Sequence, residues 1–217
     1  MGGVTLARLV LHEYAGSGNC YKIRLTAAHV GAVLERREHD IMRGDTRTPE
    51  FLERINANGR IPVLQVGDRM LPESNAACWF LAAGTPLLPE DRFEQADVLR
   101  WMVWEQYTHE PNVATLRFWF GWIGEDNFSE FQRVALPLKR EAGRAALRLM
   151  DDHLGANAFL AGGRFSVADI VLYAYTHTCE EGGYRLADYP AIQAWLARVA
   201  AQPGHVAFDW PRASNRS

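Results

Sequence analysis

The chain has 217 residues, 48% hydrophobic and 23% charged, with 23 Lys and Arg against 26 Asp and Glu for a net charge of −3. That is the composition of a globular protein with room for two modest domains or one large one, and it excludes disordered, collagen-like and disulfide-scaffold classes. With no basic stripe for a phosphate backbone and no apolar run near the roughly 20 residues a bilayer demands, neither nucleic acid nor membrane is an expected partner.

The opening MGGVTLARLVLHEY has no charged region ahead of an apolar one, so the expectation is a soluble, cytoplasmic protein. Cys20, Cys78 and Cys179 are odd in number and widely spaced, which disfavours a disulfide framework and a structural metal. Lys22 and Lys139 are the only lysines, a bias that carries no chemistry by itself.

In chain order, Leu9-Val10-Leu11 is a β-prone run, followed by a Gly/Ser/Asn turn from Ala15 to Asn19. Ile23, Ala27 and Val30 fall at i, i+4 and i+7, one helical face. Ala32 to Asp40 reads as a second strand, weakly marked, and Glu50 to Ile55 as a short helix. Pro62 to Val66 is strand, Gly67-Asp68 a hairpin turn, Met70-Leu71 its return, and Glu73 to Leu81 a helix. The order is β-α-β-α-β-β-α.

The Gly/Pro cluster Gly84 to Pro89 breaks this pattern, and beyond it strand signals vanish. Phe131, Val134, Leu138, Ala142, Ala145, Leu149 and Met150 form a stripe on one long helix. Ser166 with Asp169 fits a capping box, Pro190 precedes a final helix over about Ala191 to Ala200, and Pro211 to Ser217 reads as a loose tail. The expected architecture is an α/β domain over 1–83 and an all-helical domain over 90–217.

Four stretches bear on chemistry. Ala15 to Lys22 sits at a strand-to-helix junction, where free N–H groups and the helix dipole favour an anion and where Ser17 or Asn19 equally serves as an ordinary cap. In Asn58 to Leu64, Pro62 heads an apolar strand. An X-Pro bond is usually trans, whereas a cis bond would turn the Ile61 backbone toward a peptide-like ligand. Leu71 to Ala76 opens a helix with Glu73 and Ser74, residues that cap for stability alone or together read an ammonium and a carboxylate. Lastly, Trp101, Trp104, Tyr107, His109, Phe118, Trp119, Phe120 and Trp122 crowd one span, as core or as the lining of an apolar pocket.

Together these stretches resemble the glutathione transferase superfamily over nearly the whole chain. NANGRIPVL is similar to its cis-proline strand, PESNA to its Glu-Ser γ-glutamyl site, and GRFSVADIVLYA to its capping-box helix. The resemblance implies a thioredoxin-like glutathione-binding domain followed by an all-α domain that takes a small apolar electrophile. It implies glutathione as co-substrate, no metal, and a homodimer.

On the same footing, Pro62 is the cis-proline, Ile61 bonds the cysteinyl unit through its backbone, Glu73 and Ser74 hold the γ-glutamyl ammonium and carboxylate, and Arg60 meets the glycyl carboxylate. Ser17 matches the residue of serine-type classes and Asn19 an assisting asparagine. The S-G-N-x-x-K spacing is most similar to bacterial classes with a T/S-x-N site. Tyr14 is the rival, in poorer register.

Tyr107, His109, Trp119 and Trp122 are the expected electrophile pocket, with His109 equally at home as an interior histidine. Ser17-x-x-Cys20, with serine where an oxidoreductase has its attacking thiol, argues against disulfide exchange and for a packed Cys20. A peroxidase, dehalogenase or isomerase on the same fold, and a glutathione-binding module without turnover, are the alternatives. By charge, residues 1–83 hold ten basic and nine acidic side chains, so the slightly positive part is the one expected to hold an anionic tripeptide.

Overall fold

The computed structural model describes residues 8–208, so the expected tail at Pro211 to Ser217 lies outside the described residues. Two compact units divide them: residues 8–83 with 204–208, and residues 84–203.

The first unit is built on a four-stranded sheet of order β2-β1-β3-β4. Strand β1, Leu9–Glu13, is buried along its whole length because it has a neighbour on each side. It pairs in parallel with β2, Leu34–Glu38, and antiparallel with β3, Val63–Val66, which turns at Gly67 into β4, Arg69–Pro72. Parallel pairing needs a crossover, and helix α1, Gly18–His29, supplies it.

The expected single face on α1 is a narrower description than the helix merits: every residue from Cys20 to Ala27 is buried. It packs against α3, Ser74–Ala82, and residues 204–208 return to cover it. Tyr21 Oη donates to the Val206 carbonyl at 2.6 Å, and the Phe208 ring lies 5.1 Å from that of Tyr21.

Charge fixes the turn between β1 and α1. The wholly buried Glu13 carboxylate accepts from Arg24 at 2.7 Å and also from Arg36. The second Arg24 nitrogen reaches the Ala15 carbonyl at 3.1 Å, and the Ala15 N–H donates to Glu38 at 2.9 Å. A buried carboxylate is tolerable only when so satisfied. Between β2 and β3 lies α2, Pro49–Arg54, capped by Thr48 and started by a proline at its first position.

The second unit is helical. Helix α4, Arg92–Trp104, runs into a π turn at Glu105–His109, and α5, Val113–Phe118, into another at Trp119–Ile123. Helix α6, Glu130–Ala156, α7, Val167–Thr176, and α8, Pro190–Ala200, complete it. α7 is buried throughout, and the Ser166–Asp169 capping box is formed. Asp169 accepts from Leu160 N, Ser166 N and Oγ, and Trp195 Nε1, while burial pushes its carboxyl up to about 6.

The stripe expected on α6 is corrected by the structure. Phe131, Val134, Leu138 and Leu149 are exposed, and the buried face is Gly143, Ala146, Leu147, Met150 and Leu154. Small residues decide this, because a Cβ on Gly143 would lie 1.9 Å from Tyr184 Oη, so only glycine lets that tyrosine approach. Among the described residues no helix is long and apolar enough to cross a membrane.

Candidate active site

The first element of the site is the β1–α1 turn. Ser17 is the N-cap of α1, with extended backbone; its N–H donates to the Tyr14 carbonyl at 2.9 Å and its Oγ accepts from Cys20 N at 3.4 Å. Ser17 and Asn19 are partly open, whereas Tyr14 and Cys20 are buried. The Tyr14 N–H donates to Cys20 Sγ at 3.4 Å, and burial pushes the Cys20 thiol up to about 12. Cys20 is therefore a packed thiol and not a nucleophile. A hydroxyl at a helix N-terminus, with the positive end of the dipole behind it, is placed to stabilise an anion.

The second element is the start of α3. Ser74 is buried at the first helical position, and its Oγ donates to Asn19 Oδ1 at 3.1 Å. This bond ties the opening of α3 to that of α1. Before Ser74, Glu73 has φ 73 and ψ 113. It is the one described non-glycine with positive φ, a conformation costing on the order of 1–3 kcal/mol that persists only where its surroundings impose it. The Glu73 side chain is exposed.

The third element is the loop into β3. Asn56 Nδ2 donates to the Arg60 carbonyl at 2.9 Å, Arg47 reaches the Asn58 carbonyl at 3.3 Å, and Gly59 sits where a Cβ would lie 2.9 Å from the Thr46 carbonyl. The Ile61–Pro62 bond is cis. Pro62 is buried, Ile61 partly open and the Arg60 side chain exposed. Among the described residues no turn or loop hydrogen bond engages the Ile61 backbone.

Two residues near this cradle, Lys22 and Asn75, fall in the stretches singled out in the sequence but carry no assigned role there. Lys22 is fully buried and donates from Nζ to Asn75 Oδ1 at 3.3 Å, one residue after Ser74. In the sequence Lys22 is marked by the S-G-N-x-x-K spacing and by the scarcity of lysine, neither of which names its partner.

In the helical unit the four expected pocket residues are not gathered at one place. Tyr107, 86% exposed, borders an apolar groove of about 490 Å³ along α4 with Leu99, Val103 and Trp104. His109 is wholly buried and lies 3.1 Å from Thr176 Oγ1. Trp119 packs against Phe128, and Trp122 stacks on Phe118 with the Arg117 guanidinium 4.8 Å from its ring. Periodicity could not foresee this, because the two π turns rotate these side chains away from the faces a regular helix would give them.

Known proteins are similar to this chain in sequence and in fold. The family model for the glutathione S-transferase N-terminal domain matches residues 16–83, and that for the C-terminal domain matches residues 132–198. A crystal structure of a possible glutathione S-transferase from Rhodopseudomonas palustris is 41% identical, covering 94% of this chain and 90% of its own, with a TM-score of 0.87. A glutathione S-transferase from Pseudomonas fluorescens Pf-5 is 40% identical over 94% of this chain and 100% of its own, also at 0.87.

Curated relatives are more distant. Elongation factor 1-gamma 1 from rice is 28% identical over 167 residues, 76% of this chain but 38% of that protein, so the chain spans well under half the length of that relative. Glutathione S-transferase F14 from Arabidopsis thaliana is 28% identical over 179 residues, 76% of this chain and 68% of its own. With both family models matched in order and two bacterial structures at 40% identity or above covered over 90% or more of their chains, the chain belongs to the glutathione S-transferase family.

Proposed function

We propose that this protein binds glutathione in the first unit and activates its thiol for attack on small apolar electrophiles. The observation that carries this reading is the Ser74–Asn19 bond, which brings two helix N-termini and the Ser17 hydroxyl to one cradle beside the cis Ile61–Pro62 bond. Ser74 and the α3 N-terminus take the γ-glutamyl carboxylate, Glu73 its ammonium, Ile61 the cysteinyl backbone and Arg60 the glycyl carboxylate.

A free thiol titrates near 8.5, and each unit of lowering requires about 1.4 kcal/mol of preferential stabilisation of the thiolate. One charge-assisted hydrogen bond from Ser17 together with the α1 dipole supplies that much. Asn19 assists by holding the two helix starts together. The thiol proton leaves to solvent on binding. The sulfur lone pair then forms the bond to the electrophilic carbon, and a leaving group departs with its electrons or the displaced pair is protonated by water.

The electrophile is assigned to the helical unit, where Tyr107 at the apolar groove is the accessible member of the expected set. A serine-type bacterial class, a homodimer, a cytoplasmic setting and a role in detoxification complete the proposal. The similarity to elongation factor 1-gamma favours a second reading, a glutathione-binding module without turnover. Calorimetric titration with glutathione, paired with turnover of a panel of halogenated and epoxide electrophiles, separates the two. Binding with turnover supports the transferase, binding without turnover supports the module, and no binding refutes both.

A further inference from the structure

Helix α1 sends a second polar side chain toward α3 beyond the one the proposed chemistry uses. Lys22 lies one turn past Asn19 and is 0% exposed, with its Nζ 3.3 Å from Asn75 Oδ1. Lysine is almost never fully buried unless partners hold it, because taking its amine out of water is costly. This chain uses arginine for nearly all its basic positions, yet places one of its two lysines here. A compact amine on a flexible stem fits between two packed helices where a planar guanidinium fork does not.

Asn19 and Lys22 are three apart on α1, and so share a face. Their partners Ser74 and Asn75 are the first two residues of α3. The bonds Ser74–Asn19 and Lys22–Asn75 are therefore two successive rungs between the helix openings.

We propose that Lys22 is a positioning residue for the glutathione site. Through Asn75 its amine fixes the first turn of α3, so that Ser74 and its N–H meet the γ-glutamyl α-carboxylate of the tripeptide. Lys22 does not touch the ligand; it acts one residue removed. The inference rests on the glutathione reading above and adds which part of glutathione depends on this buried amine.

The test crosses protein variants with ligand variants in calorimetric titrations. The proteins are the unmodified chain, Lys22→Arg, Lys22→Gln and Asn75→Ala; the ligands are glutathione and its 4-aminobutyryl-cysteinyl-glycine analogue, which lacks only the α-carboxylate. Losing one hydrogen bond that sets a charged contact should weaken glutathione binding roughly tenfold in Lys22→Gln and Asn75→Ala, against less than about twofold for the analogue. Lys22→Arg, too wide for the gap, should show the same selective loss.

Equal losses for both ligands would show a general packing role and overturn the proposal, as would unchanged glutathione affinity. Asn75 is partly open, so Asn75→Ala carries the test if the buried substitutions fail to fold. If the unmodified protein binds no glutathione, the parent reading fails and this inference with it. That result is distinct from binding that Lys22 and Asn75 do not influence.

Discussion

Ser74 Oγ donates to Asn19 Oδ1 across 3.1 Å, which ties the first residue of α3 to the first turn of α1. Because Ser74 is 5% exposed, its hydroxyl has little access to water and the bond is worth about 1 kcal/mol net. Asn19→Ala should therefore raise the KM for glutathione about fivefold with a smaller change in kcat. Steady-state kinetics with glutathione varied against a fixed electrophile checks it.

Glu73 offers a prediction with opposite signs on stability and binding. Glu73→Gly relieves a left-handed backbone of φ 73 and should raise stability by about 1 kcal/mol. It also removes the carboxylate assigned to the γ-glutamyl ammonium, so glutathione affinity should fall. Urea denaturation and calorimetry on the same variant measure both, and a loss of stability would show that the surroundings do not impose strain here.

The sheet carries a pH-dependent element. Gln65 Nε2 donates to the Gly67 carbonyl, so its Oε1 accepts from His12 Nε2 at 3.2 Å, leaving His12 Nδ1 to accept from His39 Nε2 at 3.0 Å. Burial lowers the pKa of both histidines from 6.5. Their neutral forms are favoured in the fold, so this contribution is present above pH 6.5 and is lost as pH falls through the lowered native values. Asp169 acts oppositely: raised from 3.8 to about 6, its contribution is complete below 3.8 and is lost as pH rises through 6. Comparing thermal midpoints between pH 7.5 and about 5 for the unmodified chain and His12→Gln isolates the histidine part, which should make the unmodified chain lose more on acidification.

Packing of the helical unit turns on Gly143. Gly143→Ala sets a methyl against Tyr184, whose Oη lies 3.3 Å from both the Asn112 and Lys139 carbonyls and shares its one proton between them, and should destabilise by roughly 1–3 kcal/mol. Chemical denaturation measures the loss.

Local signals were legible in the sequence because they need no tertiary information. The Ser17 cap, the Gly67 turn between β3 and β4, and the Ser166–Asp169 box all rest on residue type at fixed offsets. What required the fold was set by packing. α6 buries Gly143 and Ala146 rather than Ala142 and Ala145, because apolar periodicity cannot choose between adjacent stripes when a tyrosine needs a glycine to approach. The π turns that bury His109 and expose Tyr107 leave no mark in composition. Neither does the return of residues 204–208 onto α1, nor the burial of Lys22, which depends on what α3 brings beside it.

The proposed transferase chemistry depends on Ser17 at the α1 N-terminus holding glutathione as a thiolate near neutral pH. Ultraviolet difference spectra of bound glutathione, titrated across pH in the unmodified protein and in Ser17→Ala, test it directly. Thiolate absorbance should appear with a pKa at least about one unit below the free thiol value of 8.5, shifted upward in Ser17→Ala while glutathione still binds. A titration in Ser17→Ala that coincides with that of the unmodified protein would contradict it.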